Sequence, residues 1–121
     1  MRFHVDLPSL WCAHCHCSMC RMAHGAGFVT WVGMRAEAFH VDTGAELLTA
    51  YESSPGALRR FCRSCGSTLT FESVRWPGEV HLTLANFTTS IDREPQVHSY
   101  WDSRVEWADW HGRELPTSEP G

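Results

Sequence analysis

The sequence predicts a mainly β protein, on three observations. Short segments alternate apolar and polar side chains, turn residues break them every few positions, and helical character is confined to one stretch after a cysteine cluster. Arg2–Asp6 alternates and is stopped by Leu7, Pro8 and Ser9. Leu10–Cys17 is a second strand that runs straight into the cysteines. Ser18–His24 is the helix, with Ser18 as its N-cap and Gly25 and Gly27 as its stop. Cys20 then lies in the first turn, where a helix N-terminus favours a thiolate. Phe28–Met34, Ala38–Val41 and Leu47–Tyr51 follow as strands, with a turn at Asp42–Gly44. Ser53–Gly56 is a turn, and Leu58–Phe61 and Thr68–Ser73 form a hairpin joined through Cys62–Cys65. After the turn at Trp76–Gly78 comes the strand Glu79–Leu84, then a loop over Ile91–Pro95 and a last strand over Val97–Trp101. Thr117–Gly121 reads as a loose tail. Residues 1–121 are expected to form one domain.

Ten Lys and Arg stand against 14 Asp and Glu, a formal charge of −4 with no basic stripe, so a nucleic-acid partner is not expected. No apolar run approaches the roughly 20 residues that span a bilayer, so no membrane partner is expected either. Met1–Asp6 has neither the apolar core nor the cleavage site of a signal peptide, which makes the reducing cytoplasm the expected compartment.

Cys15, His16, Cys17, Ser18, Met19 and Cys20 place three sulfurs where they converge on one tetrahedral ion, and three thiolates leave its fourth position open. An open position distinguishes catalytic from structural zinc. Cys62 and Cys65, followed by Gly66, form the half-site of a zinc knuckle, in which Gly66 suits a turn that aims backbone N–H groups at sulfur. The chain's 6 Cys also permit a disulfide framework. Cys15 and Cys17 are too close to bridge without strain, and the expected compartment favours metal.

With Gly25, Ser53–Gly56 and the run Arg60–Ser67, the cysteine motif resembles the glutathione-dependent formaldehyde-activating enzymes, whose domain is shared with centromere protein V. Pro95–His98, Trp107, Leu115 and Pro116 match that family's usual ending. The resemblance implies two small antiparallel sheets meeting at an angle and stapled by zinc, a β-tent. It also implies a carbon–sulfur lyase that joins or splits glutathione and formaldehyde. Cys15, Cys17 and Cys20 match the family's labile, catalytic zinc site. Cys62 and Cys65 match half of its structural site, whose other half is a Cys-x-Cys-Gly-Ala-Val segment entering the first strand. Met1 stands at that Val position. This implies a GTG codon read as an initiator, with the missing segment upstream.

The remaining candidates are weaker. Arg21 offsets the charge of a three-thiolate site, holds a substrate carboxylate, or is a surface residue. His16, on the opposite strand face from its cysteine neighbours, is expected beside the bound group rather than on the metal. Cys12 reads as a buried inert thiol or a replacement ligand, and His4 is a further candidate to complete the knuckle. Trp31, Phe39 and Trp76 are expected in the core. Three functions follow. The first is an enzyme, monomer or weak dimer, that acts on adducts of a small thiol such as glutathione with a small aldehyde. The second is a non-catalytic, zinc-stabilised binding module. The third is a redox or zinc-storage protein that uses its clustered thiols. An open three-Cys site favours the first and third.

Overall fold

The computed structural model describes residues 1–109, 112 and 114–118. The tail expected over Thr117–Gly121 therefore lies largely outside the described residues. Two sheets, one short α-helix and five three-residue 3-10 turns account for the regular structure among them. Strands β1 (Arg2–Val5) and β4 (Phe39–Thr43) pair as an antiparallel two-stranded ribbon. The larger sheet takes β2 (Trp11–Cys15), β3 (Val29–Arg35), β5 (Leu48–Ser54), β6 (Ala57–Cys62), β7 (Thr68–Ser73), β8 (Glu79–Thr83) and β9 (Val97–Ser99). Its order is β5-β6-β7-β8-β3-β2-β9. All its pairings are antiparallel except β2 with β9, which run parallel from Ala13↔Val97 to Cys15↔Ser99. One of the two sheets is thus small, while the other is wide and carries a parallel edge.

That parallel edge requires a long return connection, and a polar network ties the connection down. The Ser9 hydroxyl donates to Asp92 at 2.6 Å, and Arg93 Nε donates back to the same hydroxyl at 2.6 Å. Arg93 Nη2 also reaches the Ser9 carbonyl at 2.6 Å, and Gln96 N–H bonds the Cys12 carbonyl at 2.9 Å. Ser9 is buried, so these bonds satisfy groups that would otherwise be costly to enclose.

Strand alternation divides the large sheet into two faces. Cys12, Val32, Met34, Val80 and Leu82 point to one face and form the tightest core, covered by Val5 and Phe39 of the ribbon together with Phe87 and Ile91. Phe3 meets Phe39 and Phe87 edge-on at 5.8 and 5.3 Å between ring centroids, so the ribbon closes this core with aromatic contacts. Cys12 belongs here, with no exposed surface, as the buried-thiol reading expects. Cys15, Cys20, Val29 and Trp31 gather on the opposite face with Trp11, Cys17 and Phe71.

The helix α1 spans Ser18–His24 as expected, but its N-cap is Cys17 rather than Ser18. Cys17 is extended, and its sulfur accepts the Cys20 N–H at 3.3 Å, the role an Asp or Ser oxygen usually fills. Gly25 closes the helix in the left-handed conformation at φ 59°, with its N–H on the Arg21 carbonyl. Gly27, expected as a second stop, serves a close approach instead, because a Cβ there would lie 2.4 Å from the Ala108 side chain.

Gly33 is fixed by its cross-strand partner. Trp11 sits opposite it, and a Cβ at Gly33 would fall 2.2 Å from the indole. The indole N–H is held by Glu79 at 3.2 Å, so the ring has no room to yield. Gly33→Ala is expected to destabilise the fold by ~2 kcal/mol through overpacking, seen as a fall of roughly 8 °C in Tm; an unchanged melting temperature would contradict this packing.

Candidate functional site

Three elements bring the site together. Cys15 is the last residue of β2, Cys17 caps α1, and Cys20 lies in its first turn. Strand alternation sends Cys15 and Cys17 to one side, and the helical turn folds Cys20 back over them. The three sulfurs lie within 4.8 Å of one another. Cys15 Sγ and Cys20 Sγ are 3.7 Å apart. Two sulfurs bonded at about 2.3 Å to one tetrahedral ion stand roughly 3.8 Å apart, so this spacing and donor set fit zinc. Within the trio the thiols are unequal. Hydrogen bonds from Cys15 and Cys20, aided by the Cys20 N–H and the Arg59 charge, hold the Cys17 thiol down at about 2. Cys15 is pushed far up by sharing its proton with Cys17 and Cys20, and then by burial. Cys17 therefore ionises first, and a bound cation would displace the protons that remain.

The trio lies against a cleft of about 650 Å3, a size ordinary for a small-molecule site. Trp11, Trp31, Phe71 and Trp76 give it aromatic walls. Trp31 and Trp76, expected in the core, thus also border open space. Tyr100 stands at the rim in the left-handed conformation, φ 55° and ψ 43°, which a non-glycine residue adopts at a cost of roughly 1–3 kcal/mol.

Arg59 is the first of the cleft residues that sequence reasoning missed. It is 3 % exposed and lies in the cleft wall, yet it carries a charge. Its Nη2 donates to Cys20 Sγ at 3.5 Å, and its guanidinium sits 4.8 Å from the centre of the Phe71 ring. Its Nε and Nη1 have no hydrogen-bond partner among the described residues. A buried guanidinium beside sulfur places a fixed positive charge in the cleft wall, which favours negative charge on the sulfurs and on a group bound next to them. Arg75, stacked 4.9 Å from the centre of Trp76, adds a second cation to the same cleft. His81 was also missed. It is buried in the wall, with Nε2 3.0 Å from Glu79 Oε1 and its ring edge-on to Trp11 at 4.6 Å. Burial lowers its pKa below 6.5 although Glu79 opposes the shift, so the ring is neutral at pH 7. The inward-facing alternation of β6 (Ala57, Arg59) and of β8 (His81, Thr83) was the signal that could have found both residues.

Arg21 and His16 lie elsewhere. Arg21 Nε bonds the His16 carbonyl at 3.2 Å and its Nη2 bonds the Ser103 carbonyl at 3.1 Å, so it braces the loop after β9. His16 faces a second cleft with His14, His98 and Trp101, on the other side of β2 from the thiols. Its Nε2 lies 2.9 Å from His98 Nδ1. His24 is near the trio. Burial, then the Arg59 charge, lowers it to about 4, so it stays neutral.

Cys62 and Cys65 sit at the turn between β6 and β7, outside the cleft wall. Cys62 is buried and Cys65 exposed. Gly66, at φ 81°, gives its N–H to the Cys62 carbonyl at 2.7 Å rather than to a sulfur. The Ser67 hydroxyl lies 3.2 Å from Cys65 Sγ. Hydrogen bonding from the Ser67 side chain, then its backbone, and then from Cys62, lowers the Cys65 thiol from 9.0 to about 7. Neither Cys12 nor His4 gathers with this half-site among the described residues: Cys12 is packed in the core, and the ligand atoms grouped with His4 are those of Asp6 and His40.

Residues 1–103 match the family model of the glutathione-dependent formaldehyde-activating enzymes. No protein of curated function matches the chain. Among solved structures, a crystal structure of a Rhodobacter sphaeroides protein is similar at 27 % identity and a TM-score of 0.63, over 80 % of this chain and 90 % of that one.

Two measurements test the site. Cys17→Ser keeps an oxygen at the N-cap, so α1 should persist while zinc is lost from the trio; full retention of zinc on elemental analysis would refute the ligand set. In metal-free protein, alkylation of Cys65 should accelerate with a midpoint near pH 7, because the thiolate forms above its lowered pKa. A midpoint near the ordinary 9.0 would show that Ser67 does not support the anion.

Proposed function

The chain belongs to the glutathione-dependent formaldehyde-activating enzyme family, and on that premise we propose that its aromatic cleft makes and breaks the carbon–sulfur bond of a glutathione–formaldehyde adduct, S-hydroxymethylglutathione. One observation carries the reading: three converging sulfurs and two guanidiniums, Arg59 and Arg75, share one cleft. A ligand with one thiol and two carboxylates complements that arrangement. Cys15, Cys17 and Cys20 would hold zinc, which when bound lowers the pKa of a coordinated thiol and polarises a carbonyl oxygen.

The protein's own groups do the remaining work. Arg59 sits buried beside Cys20 in the cleft wall, where it balances excess negative charge and draws a carboxylate by its own charge. Arg75, nearer solvent, takes the second carboxylate. Trp11, Trp31 and Phe71 exclude water, which strengthens these charged contacts. In the forming direction the thiol proton passes to the neutral His81 imidazole, and sulfur attacks the carbonyl carbon. The same proton is then returned to the carbonyl oxygen, giving the hydroxymethyl thioether. Glu79, hydrogen-bonded to His81 and to the Trp11 indole, orients the ring and stabilises its transient charge. The reverse sequence releases thiol and aldehyde, and no redox partner enters.

Exchange of carbon-13 label between formaldehyde hydrate and S-hydroxymethylglutathione, followed by NMR, tests this directly. Zinc-loaded protein should accelerate the exchange above the protein-free rate; no acceleration would overturn the reading. His81→Gln is expected to slow the exchange by about 100-fold while zinc and glutathione stay bound. Because the base must be neutral and its pKa lies below 6.5, the wild-type rate should hold through neutral pH and fall only on the acid side. Arg75→Ala should weaken glutathione binding about 10-fold, the loss of one charge-assisted contact.

A further inference from the structure

A second group of metal-ligating side chains lies far from the cleft, on the solvent face of the β1–β4 ribbon. Alternation along β1 sends Phe3 and Val5 into the core and His4 outward. His4 stands directly opposite His40 in the antiparallel register, and their rings stack at 4.8 Å with 22° between planes. Each imidazole has its own carboxylate. His4 Nδ1 lies 2.7 and 3.0 Å from the two oxygens of Asp42, and His40 Nε2 lies 2.7 Å from Asp6 Oδ2. Ligand atoms of His4, Asp6 and His40 fall within 4.8 Å of one another.

We propose that His4, His40 and Asp6 form a surface site for a late first-row divalent cation, zinc or nickel, with Asp42 holding the His4 ring in place. His40 Nε2 and Asp6 Oδ2 are joined by a hydrogen bond of 2.7 Å, and a divalent cation can displace the hydrogen between them while keeping both groups as ligands. Donation from His4 Nδ1–H to Asp42 leaves the lone pair on Nε2 for the ion, the carboxylate–imidazole–metal arrangement that orients metal-bound histidines. Two imidazoles and one carboxylate select zinc, nickel or copper over calcium or magnesium, which require more oxygen ligands. Because the ligands come from both strands, the ion crosslinks them. A two-stranded ribbon is marginal on its own, and this one covers the main core, so the cation would fasten β1 to the fold. The four side chains are all substantially exposed, which makes the site exchangeable rather than structural in the zinc-finger sense.

The test starts from protein whose thiolate trio already holds zinc, titrated with further zinc while the imidazole nitrogens are followed by long-range proton–nitrogen NMR. The His4 and His40 ring signals should shift together and saturate after one added equivalent, with micromolar affinity. His40→Ala should abolish that equivalent and leave the thiolate-bound zinc in place. Asp42→Asn, which keeps all three ligands, should weaken it roughly 10-fold, the usual cost of losing the carboxylate behind a ligating histidine. Ring signals that stay unmoved at millimolar zinc, or an unchanged affinity in His40→Ala, would overturn the site. Neither result bears on the cleft, whose residues are untouched.

Discussion

The face of the sheet that carries the chemistry is organised around a charge balance between a buried guanidinium and buried sulfur. Isolated, Arg59 would be a costly residue at 3 % exposure, because removing a cation from water costs several kcal/mol even after relaxation. It is tolerated because Cys20 lies within reach of one N–H and the Phe71 ring faces the cation. The dependence runs both ways. Three thiolates around a divalent ion carry a net negative charge, and such a centre beside an aromatic wall would be poorly solvated without a fixed cation. Arg59 is anchored in β6, in the middle of three hydrogen-bonded strands, so its position does not rely on a flexible loop.

Cys17 couples the site to local folding. Its sulfur is at once part of the trio and the cap of α1. The helix is short and would be marginal in isolation. Its first turn is held where it is by the group that also gathers the ligands, so local folding and the assembly of the site are the same event. The helix then ends at Gly25, before the chain re-enters the sheet as β3 beneath the trio.

Much of this was legible in the sequence because cysteine spacing and strand alternation are local signals. The trio, the helix span and the order of strands through β8 follow from residues close in the chain. What escaped was set by distant partners. Arg59 and Arg60 are indistinguishable as letters, and only the register of β6 against β5 and β7 decides which one turns inward. Arg21, adjacent to a ligand, looked the better cation, yet carbonyls at His16 and Ser103 claim its guanidinium. His81 gains its meaning from Glu79 and Trp11, and Trp11 lies 68 residues from Glu79. The parallel placement of β9 likewise depends on the Ser9–Asp92–Arg93 network rather than on any pattern within Val97–Ser99. Gly27 looked like a helix stop, and its actual constraint is a side chain more than 80 positions away.

The order Cys15, His16, Cys17 makes strand register the quantity on which the site's identity turns. Because side chains alternate, slipping β2 by one residue would move His14 and His16 to the cleft face and turn Cys15 and Cys17 to the opposite one. Two interactions oppose that slip from either side of the strand. Towards β3, Trp11 fits only against the bare backbone of Gly33, and no neighbouring position offers the same space. Towards β9, the His16 N–H is fixed on the Ser99 carbonyl at 2.9 Å and the Cys12 carbonyl on the Gln96 N–H. The slip would also bring Cys12 out of a fully buried position in the main core and push a neighbour into it. The thiolate face is therefore specified by packing at a glycine, a hydrogen-bonded parallel edge and a small buried cysteine. None of these is a ligand, and each acts by keeping the sulfurs on the same side of the sheet as Arg59.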